Sequence, residues 1–267
     1  MRHHLPQSYL HEFSKYGTPV ILVGDILGGS ASWNFLSEPL ARELRVIGVS
    51  PMLVAYSGQG QLPPEPWSIK FEAEALATAM DNLGIPSAHI GGWSLGGAIA
   101  AAFAVHYPHR TKTLMLIEPQ MRWVLRELGK HVEADDGAEK FRGYGHEISQ
   151  KELADFLHEV GAVPFNEDPI QSRAWRLAWV HRLAIRFAHK VIDETGDLSS
   201  LKKLDMPTLL VRGNLSLDSD IGITDALAKL IPKAYMQILE GNHTSHFANP
   251  DVFMNEYIKL INSAIEN

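Results

Sequence analysis

The stretch Gly91-Gly92-Trp93-Ser94-Leu95-Gly96-Gly97-Ala98 constrains the fold of this chain more than any other. It continues an apolar run, Ala88-His89-Ile90, and leads into an alanine-rich segment carrying Leu95, Ile99, Phe103 and Val105 as far as Tyr107-Pro108. The pattern is that of a buried strand turning directly into a helix, which the proline then stops. At the apex stands a serine between glycines. Such an apex residue takes a strained backbone conformation that lifts its side chain above the sheet, while Gly92 and Gly96 leave room for backbones passing close by. The helix N-terminus favours negative charge developing there. Ser94 is therefore a candidate nucleophile.

On both sides of this turn, short β-branched runs alternate with amphipathic helical segments, the pattern of a mainly parallel sheet with helices on both faces. Strands are expected at Ser8 to Phe13, Thr18 to Val23, Arg45 to Val49, Thr113 to Ile117, Pro207 to Arg212 and Tyr235 to Leu239. Helices are expected from about Trp33 to Leu44, Ser68 to Leu83, Ile223 to Leu230 and Asp251 to Ile265. Residues 119–204 carry only helical periodicity and read as a helical cap over the carboxyl edge of the sheet, where open α/β sheets bind ligands. Residues 1–118 and 205–267 then form one α/β core.

With 267 residues, 45% of them hydrophobic, the chain can bury a large single core. A net charge of −7 and a pI near 6.0 argue against a nucleic-acid partner, which calls for a basic face. The longest apolar runs fall short of a bilayer span. Residues Met1 to Pro6 lack the apolar core of a secretory signal, so a cytoplasmic location is expected. Without cysteine there is no disulfide framework, thiolate metal site or cysteine nucleophile. No metal or cofactor is expected, and the expected partner is a small-molecule substrate.

The serine turn, the order of strands and a late histidine together resemble the α/β-hydrolase superfamily over nearly the whole chain. The resemblance implies an α/β-hydrolase fold with a helical cap, and a triad in the chain order serine, acid, histidine. The segment Leu239-Glu240-Gly241-Asn242-His243-Thr244-Ser245-His246-Phe247-Ala248-Asn249-Pro250 is similar to the family's histidine loop. His243, seven positions before Pro250, takes the catalytic slot, and His246 falls where many members carry a second, non-catalytic histidine. An imidazole suits the task because its proton affinity lies near neutrality, so it can take the serine proton and return it to a leaving group.

The acid departs from the family pattern. Members usually carry an aspartate a few residues beyond the strand that here reads Thr208 to Arg212, and an ungapped reading puts Ser216 in that slot. Asp218 and Asp220 lie just downstream. Glu118, at the end of the strand after the serine turn, occupies a position from which some members supply the acid instead. Asp218 and Glu118 both remain candidates, with Asp220 behind them. The oxyanion loop departs too: Val23-Gly24-Asp25-Ile26-Leu27-Gly28-Gly29-Ser30 stands where His-Gly is usual. By position, the amides of Ile26 and Leu95 are the oxyanion donors, which backbone N–H groups can provide whatever the side chains. Asp25 would oppose a developing oxyanion unless it points away, pairs with a cation or holds the loop. Ser50 to Gly60 replaces the family's usual Asp-Xaa-Arg-Gly-His-Gly loop and leaves an apolar wall.

In the cap region, Ser172 to Val191 reads as one helix carrying Trp175, Trp179, Leu183 and Phe187 at four-residue steps, with Arg173, Arg176, Arg182 and Arg186 around the rest. That is a core stripe with a solvated basic face, or a tryptophan-lined substrate pocket with one arginine meeting an anion. Trp93, Trp175 and Trp179 are the candidates for substrate contact. Asp135-Asp136 reads as a surface turn. The leading functional expectation is a serine hydrolase acting on an ester, thioester or lactone of a small, largely apolar acid. The alternative is a cofactor-free oxygenase or lyase in which His243, partnered by Glu118 or Asp218, deprotonates a bound substrate; a non-enzymatic binding protein is the third.

Overall fold

In a computed structural model of the chain, the structure describes residues 4–130, 148–187, 190–191 and 194–264. Their centre is a seven-stranded sheet in the order β1-β3-β2-β4-β5-β6-β7. The strands are β1 (Leu10–Glu12), β2 (Thr18–Val23), β3 (Leu44–Val49), β4 (Ala88–Trp93), β5 (Thr111–Ile117), β6 (Thr208–Gly213) and β7 (Ala234–Leu239). Only β1 runs antiparallel, against β3; the other neighbours are parallel.

Side chains of a strand alternate between faces, and here the alternation divides the core in two. Ile21, Val23, Ile47, Val49, Ile90, Leu114 and Leu116 point into one apolar cluster, shared with the helices α2 (Met52–Ser57), α3 (Ile69–Asn82) and α4 (Leu95–His106). Val20, Leu22, Val46, Met115, Ile117 and Val211 point the other way, into a cluster that takes in Trp33 and Leu36. Continuous apolar strands are what a sheet covered on both faces requires. The preceding helix is α1 (Asn34–Leu40), shorter than the expected Trp33 to Leu44 because β3 already begins at Leu44.

Between β5 and β6 every described element is helical: α5 (Trp123–Glu127), α6 (Gln150–Glu159), α7 (Arg173–Val180), α8 (Arg182–Ile185) and α9 (Leu198–Leu201), besides a 3-10 turn. Ser149 and Glu152 close a reciprocal capping box at the start of α6. The expected helix Ser172 to Val191 is divided at His181, which leaves helical geometry with φ −102° and ψ 15°. The cause is a contact distant in sequence: the Ser57 hydroxyl accepts the Ala184 amide at 3.1 Å, starting α8 afresh against the core. The Asp135-Asp136 turn lies outside the described residues.

After β6 come α10 (Asp218–Leu230), then β7, α11 (Ser245–Ala248) and α12 (Pro250–Ser263), whose Phe253 and Tyr257 seal the second cluster. The α2 helix lies within Ser50 to Gly60, a segment to which the sequence assigned no element. The amides of Met52 and Leu53, unsatisfied at its N-terminus, donate to the carboxylate of Glu72 on α3, which also accepts the Trp67 indole at 2.7 Å. A cap supplied from so far along the chain leaves no local sequence signal. Among the described residues, no helix is long and apolar enough to cross a membrane.

Candidate active site

β4 lies in the middle of the sheet and is buried along its whole length. At its end Ser94 takes φ 57° and ψ −120°, a conformation side chains rarely adopt, as the apex before α4. Neighbouring backbones enforce it. The Ser94 amide donates to the Ile117 carbonyl at 2.9 Å, and the Ser94 carbonyl accepts the Gln120 amide at 3.1 Å, so the turn is tied to the end of β5. A Cβ added at Gly96 would lie 2.2 Å from the Val23 carbonyl oxygen and 2.5 Å from that of Gly24. The first turn of α4 therefore rests backbone to backbone on the end of β2.

The end of β5 carries Glu118, also in the left-handed region at φ 39° and fully buried. Its Oε2 lies 2.7 Å from His243 Nδ1, while Oε1 accepts the Gly213 amide at 2.7 Å and the Ser216 hydroxyl. Of the two leading candidate acids, Asp218 and Glu118, the structure brings Glu118 to the imidazole. Asp218 is exposed at the start of α10 and is not brought there; the acid slot holds Ser216, which turns its hydroxyl to Glu118 instead. Trp93 anchors the histidine loop by donating its indole N–H to the His243 carbonyl at 3.1 Å. Ser94 Oγ makes no hydrogen bond to a described residue. Ser94 directly follows β4, and His243 lies in the loop after β7.

Asp220, two residues into α10, is a second buried carboxylate at the imidazole, with Oδ2 3.7 Å from Nδ1 and Oδ1 accepting the Gln120 side-chain amide at 3.1 Å. Burial alone would depress the proton affinity of His243, but the hydrogen bond and charge of Glu118, helped by Asp220 and Asp25, push it up to about 9. Burial raises Glu118, yet His243, Ser216 and Gly213 together hold it below the usual carboxylate range. Burial and the Glu118 charge, against the opposing charge of His243, raise Asp220 to about 6. Ligand atoms of Glu118, Asp220 and His243 fall within 4.8 Å of one another, the one such grouping among the described residues. Glu118 Oε2 is engaged by Nδ1 and Oε1 by Gly213 and Ser216, so the trio reads as a proton-handling group. Sequence reading ranked Asp220 last and missed Gln120, whose only signal is its place two residues beyond Glu118.

On the other side of Ser94, Asp25 resolves an apparent conflict. Its carboxylate accepts the amides of Leu27 and Gly28, both at 3.1 Å, and the Ser32 hydroxyl, so it holds the loop. Burial raises its pKa against these hydrogen bonds. The amides of Ile26 and Leu95 donate to no acceptor among the described residues. His246 is fully buried beside the Trp93 ring, with centroids 4.7 Å apart; burial and the charge of His243 keep it neutral.

A cavity of about 480 Å³ adjoins this site, walled by Asp25, Gly28, Phe35, Trp93, Leu177 and Thr244, with Arg173 of α7 also on its wall. Of the three candidate tryptophans, only Trp93 lines it. Trp175 and Trp179 stack on each other at 5.7 Å and pack into the helical segment's own core with Leu153, Phe156 and Leu27. The four-residue spacing of Trp175 and Trp179 is thus the core stripe.

Residues 18–250 match the family described as the alpha/beta hydrolase fold. The chain belongs to this family. The α/β hydrolase chain is 25% identical over 258 residues to a Bacillus subtilis (strain 168) protein provisionally named a 2-succinyl-6-hydroxy-2,4-cyclohexadiene-1-carboxylate synthase, covering 88% of this chain and 86% of that one. It is 30% identical to the 2-hydroxy-6-oxo-2,4-heptadienoate hydrolase of Pseudomonas putida (strain F1), over 52% of this chain and 47% of that one. A hydrolase from Pseudomonas aeruginosa PA01 shares the fold with a TM-score of 0.80 and 19% identity, over 94% of this chain and 93% of that one. Family and relatives support an enzyme with α/β hydrolase activity.

Proposed function

We propose that this protein is a serine hydrolase that cleaves an ester, thioester or lactone of a small, largely apolar acid. The observation that carries the reading is the strained Ser94 apex together with His243 paired to a buried Glu118. Ser94 Oγ attacks the carbonyl carbon as His243 Nε2 takes its proton. The oxyanion formed is stabilised by the amides of Ile26 and Leu95. Collapse of the tetrahedral species breaks the bond to the leaving alcohol or thiol, which takes the proton back from His243. Water, deprotonated by the same imidazole, then hydrolyses the acyl-enzyme and regenerates Ser94. Glu118 holds the imidazole in the tautomer that leaves Nε2 free, and stabilises the imidazolium. The substrate is a small molecule, and the location we propose is the cytoplasm.

Intact mass after incubation with a fluorophosphonate, with turnover of short p-nitrophenyl esters, tests this in wild type and Ser94→Ala. A single adduct and turnover, both abolished by Ser94→Ala, support it. Folded protein that gives neither overturns it and favours a second reading, in which His243 deprotonates a bound substrate without acylation. That reading draws on the position of Glu118 at the end of β5 and on the Bacillus subtilis relative's name as a synthase.

A further inference from the structure

The imidazole of His243 faces two buried carboxylates, although orienting it takes only one. Nδ1 carries a single proton, and Glu118 Oε2 at 2.7 Å receives it. Asp220 stands 3.7 Å from the same nitrogen, too far to share the hydrogen bond and close enough to act through its charge. Its place is built: Gln120 donates its side-chain amide to Oδ1 at 3.1 Å, and the Gln120 backbone amide donates to the Ser94 carbonyl. One residue thus fixes both the serine turn and the second carboxylate.

We propose that Asp220 is a positioning residue for His243, a second acid held by Gln120 whose charge sets the pH at which the imidazole oriented by Glu118 becomes a base. This rests on His243 being the base in the proposed function, and it holds for either chemistry considered there. The groups facing Asp220 are His243 from the loop after β7, Glu118 from β5, and Gln120 and Arg122 from the segment that follows it. Those bearing on His243 are Glu118, Asp220 and Asp25. Ionised Asp220 stabilises the imidazolium, so its removal makes the neutral imidazole available at lower pH.

The test is an NMR pH titration of the His243 ring nitrogens in the full chain, labelled at histidine and assigned by comparison with His243→Gln. No substrate is involved, so an absence of esterase activity leaves the outcome readable, and the outcome leaves the hydrolase reading open. In wild type the cationic ring reports a first inflection near pH 6 as Asp220 ionises, then its own titration near 9. Asp220→Asn abolishes the first step and brings the second down by about one pH unit. Gln120→Met, which removes the amide held by Asp220, moves the first step upward and separates it from any contribution of Asp25. A single-step wild-type titration overturns the proposal whether or not either variant folds. So does a His243 midpoint left unchanged by Asp220→Asn.

Discussion

Ser216 donates its hydroxyl to Oε1 of Glu118, the carboxylate whose other oxygen receives the Nδ1 proton of His243. The loop after β6 thus supplies a hydrogen-bond donor, and the end of β5 supplies the charge. Gly213 adds a backbone donor to the same oxygen, so Glu118 is fixed from three directions before any substrate arrives.

The first prediction is a pair of contrasting substitutions. Glu118→Gln lowers kcat for a p-nitrophenyl ester by roughly 10³-fold, because the amide no longer stabilises an imidazolium or selects its tautomer. Asp218→Asn, exposed at the start of α10, leaves kcat within twofold. The opposite pattern would reassign the acid to the later loop.

Activity should be alkaline. The imidazole accepts a proton only when neutral, and Glu118, Asp220 and Asp25 hold its pKa at about 9. The acid limb of kcat/KM is therefore expected to climb about tenfold per pH unit and level off above about 9. A pH–rate profile with its acid limb near the ordinary histidine value of about 6.5 would contradict the raised proton affinity of His243.

Stability should run the other way. Burial raises Glu72 to about 7, against its hydrogen bonds from Trp67, Met52 and Leu53. Between its ordinary value of 4.5 and 7 the folded chain binds more protons than the unfolded chain, so stability falls as pH rises through that window. The cost is on the order of 3 kcal/mol for this group. Asp220 acts likewise up to about 6. The stabilisation from raising His243 is complete below 6.5 and lost as pH rises through 9. Glu118, held low, acts oppositely: its contribution is present above 4.5 and lost on further acidification. Calorimetry is expected to give the highest Tm near pH 5 and a steady fall toward 9, with Glu72→Gln flattening the stretch between 4.5 and 7.

Trp93→Phe tests the tether of the histidine loop. It removes the indole donor to the His243 carbonyl while keeping most of the ring packing against His246 and Phe247. A buried carbonyl left unpaired costs about 1–3 kcal/mol. The expected result is a small fall in Tm with a larger fall in kcat than in KM, read from thermal melts and steady-state kinetics on one preparation.

How much of this was legible in the sequence depended on distance along the chain. The Ser94 turn, the parallel strands and His243 all declare themselves within a few residues, through glycines, β-branched runs and a following proline. Glu118 was legible as a candidate but not as the partner, because what separates it from Asp218 is which side chain reaches the ring, and that is fixed by β5 lying beside β4. The α2 helix and the division at His181 depend on Glu72 and Ser57 reaching across from other elements, so no local pattern announces them. Trp175 and Trp179 left two readings open for the same reason: four-residue spacing marks a buried face without saying what covers it.

At Gly96 the first turn of α4 and the end of β2 meet with no side chain between them. The separation of the start of α4 from the end of β2 is consequently set by peptide groups in contact, and substitution has almost no means of adjusting it in small steps. In a chain built this way, the machinery that would receive an oxyanion is inherited whole or lost whole. Selection for a new substrate is left to act on the residues above it, where Arg173 and Leu177 can change one at a time.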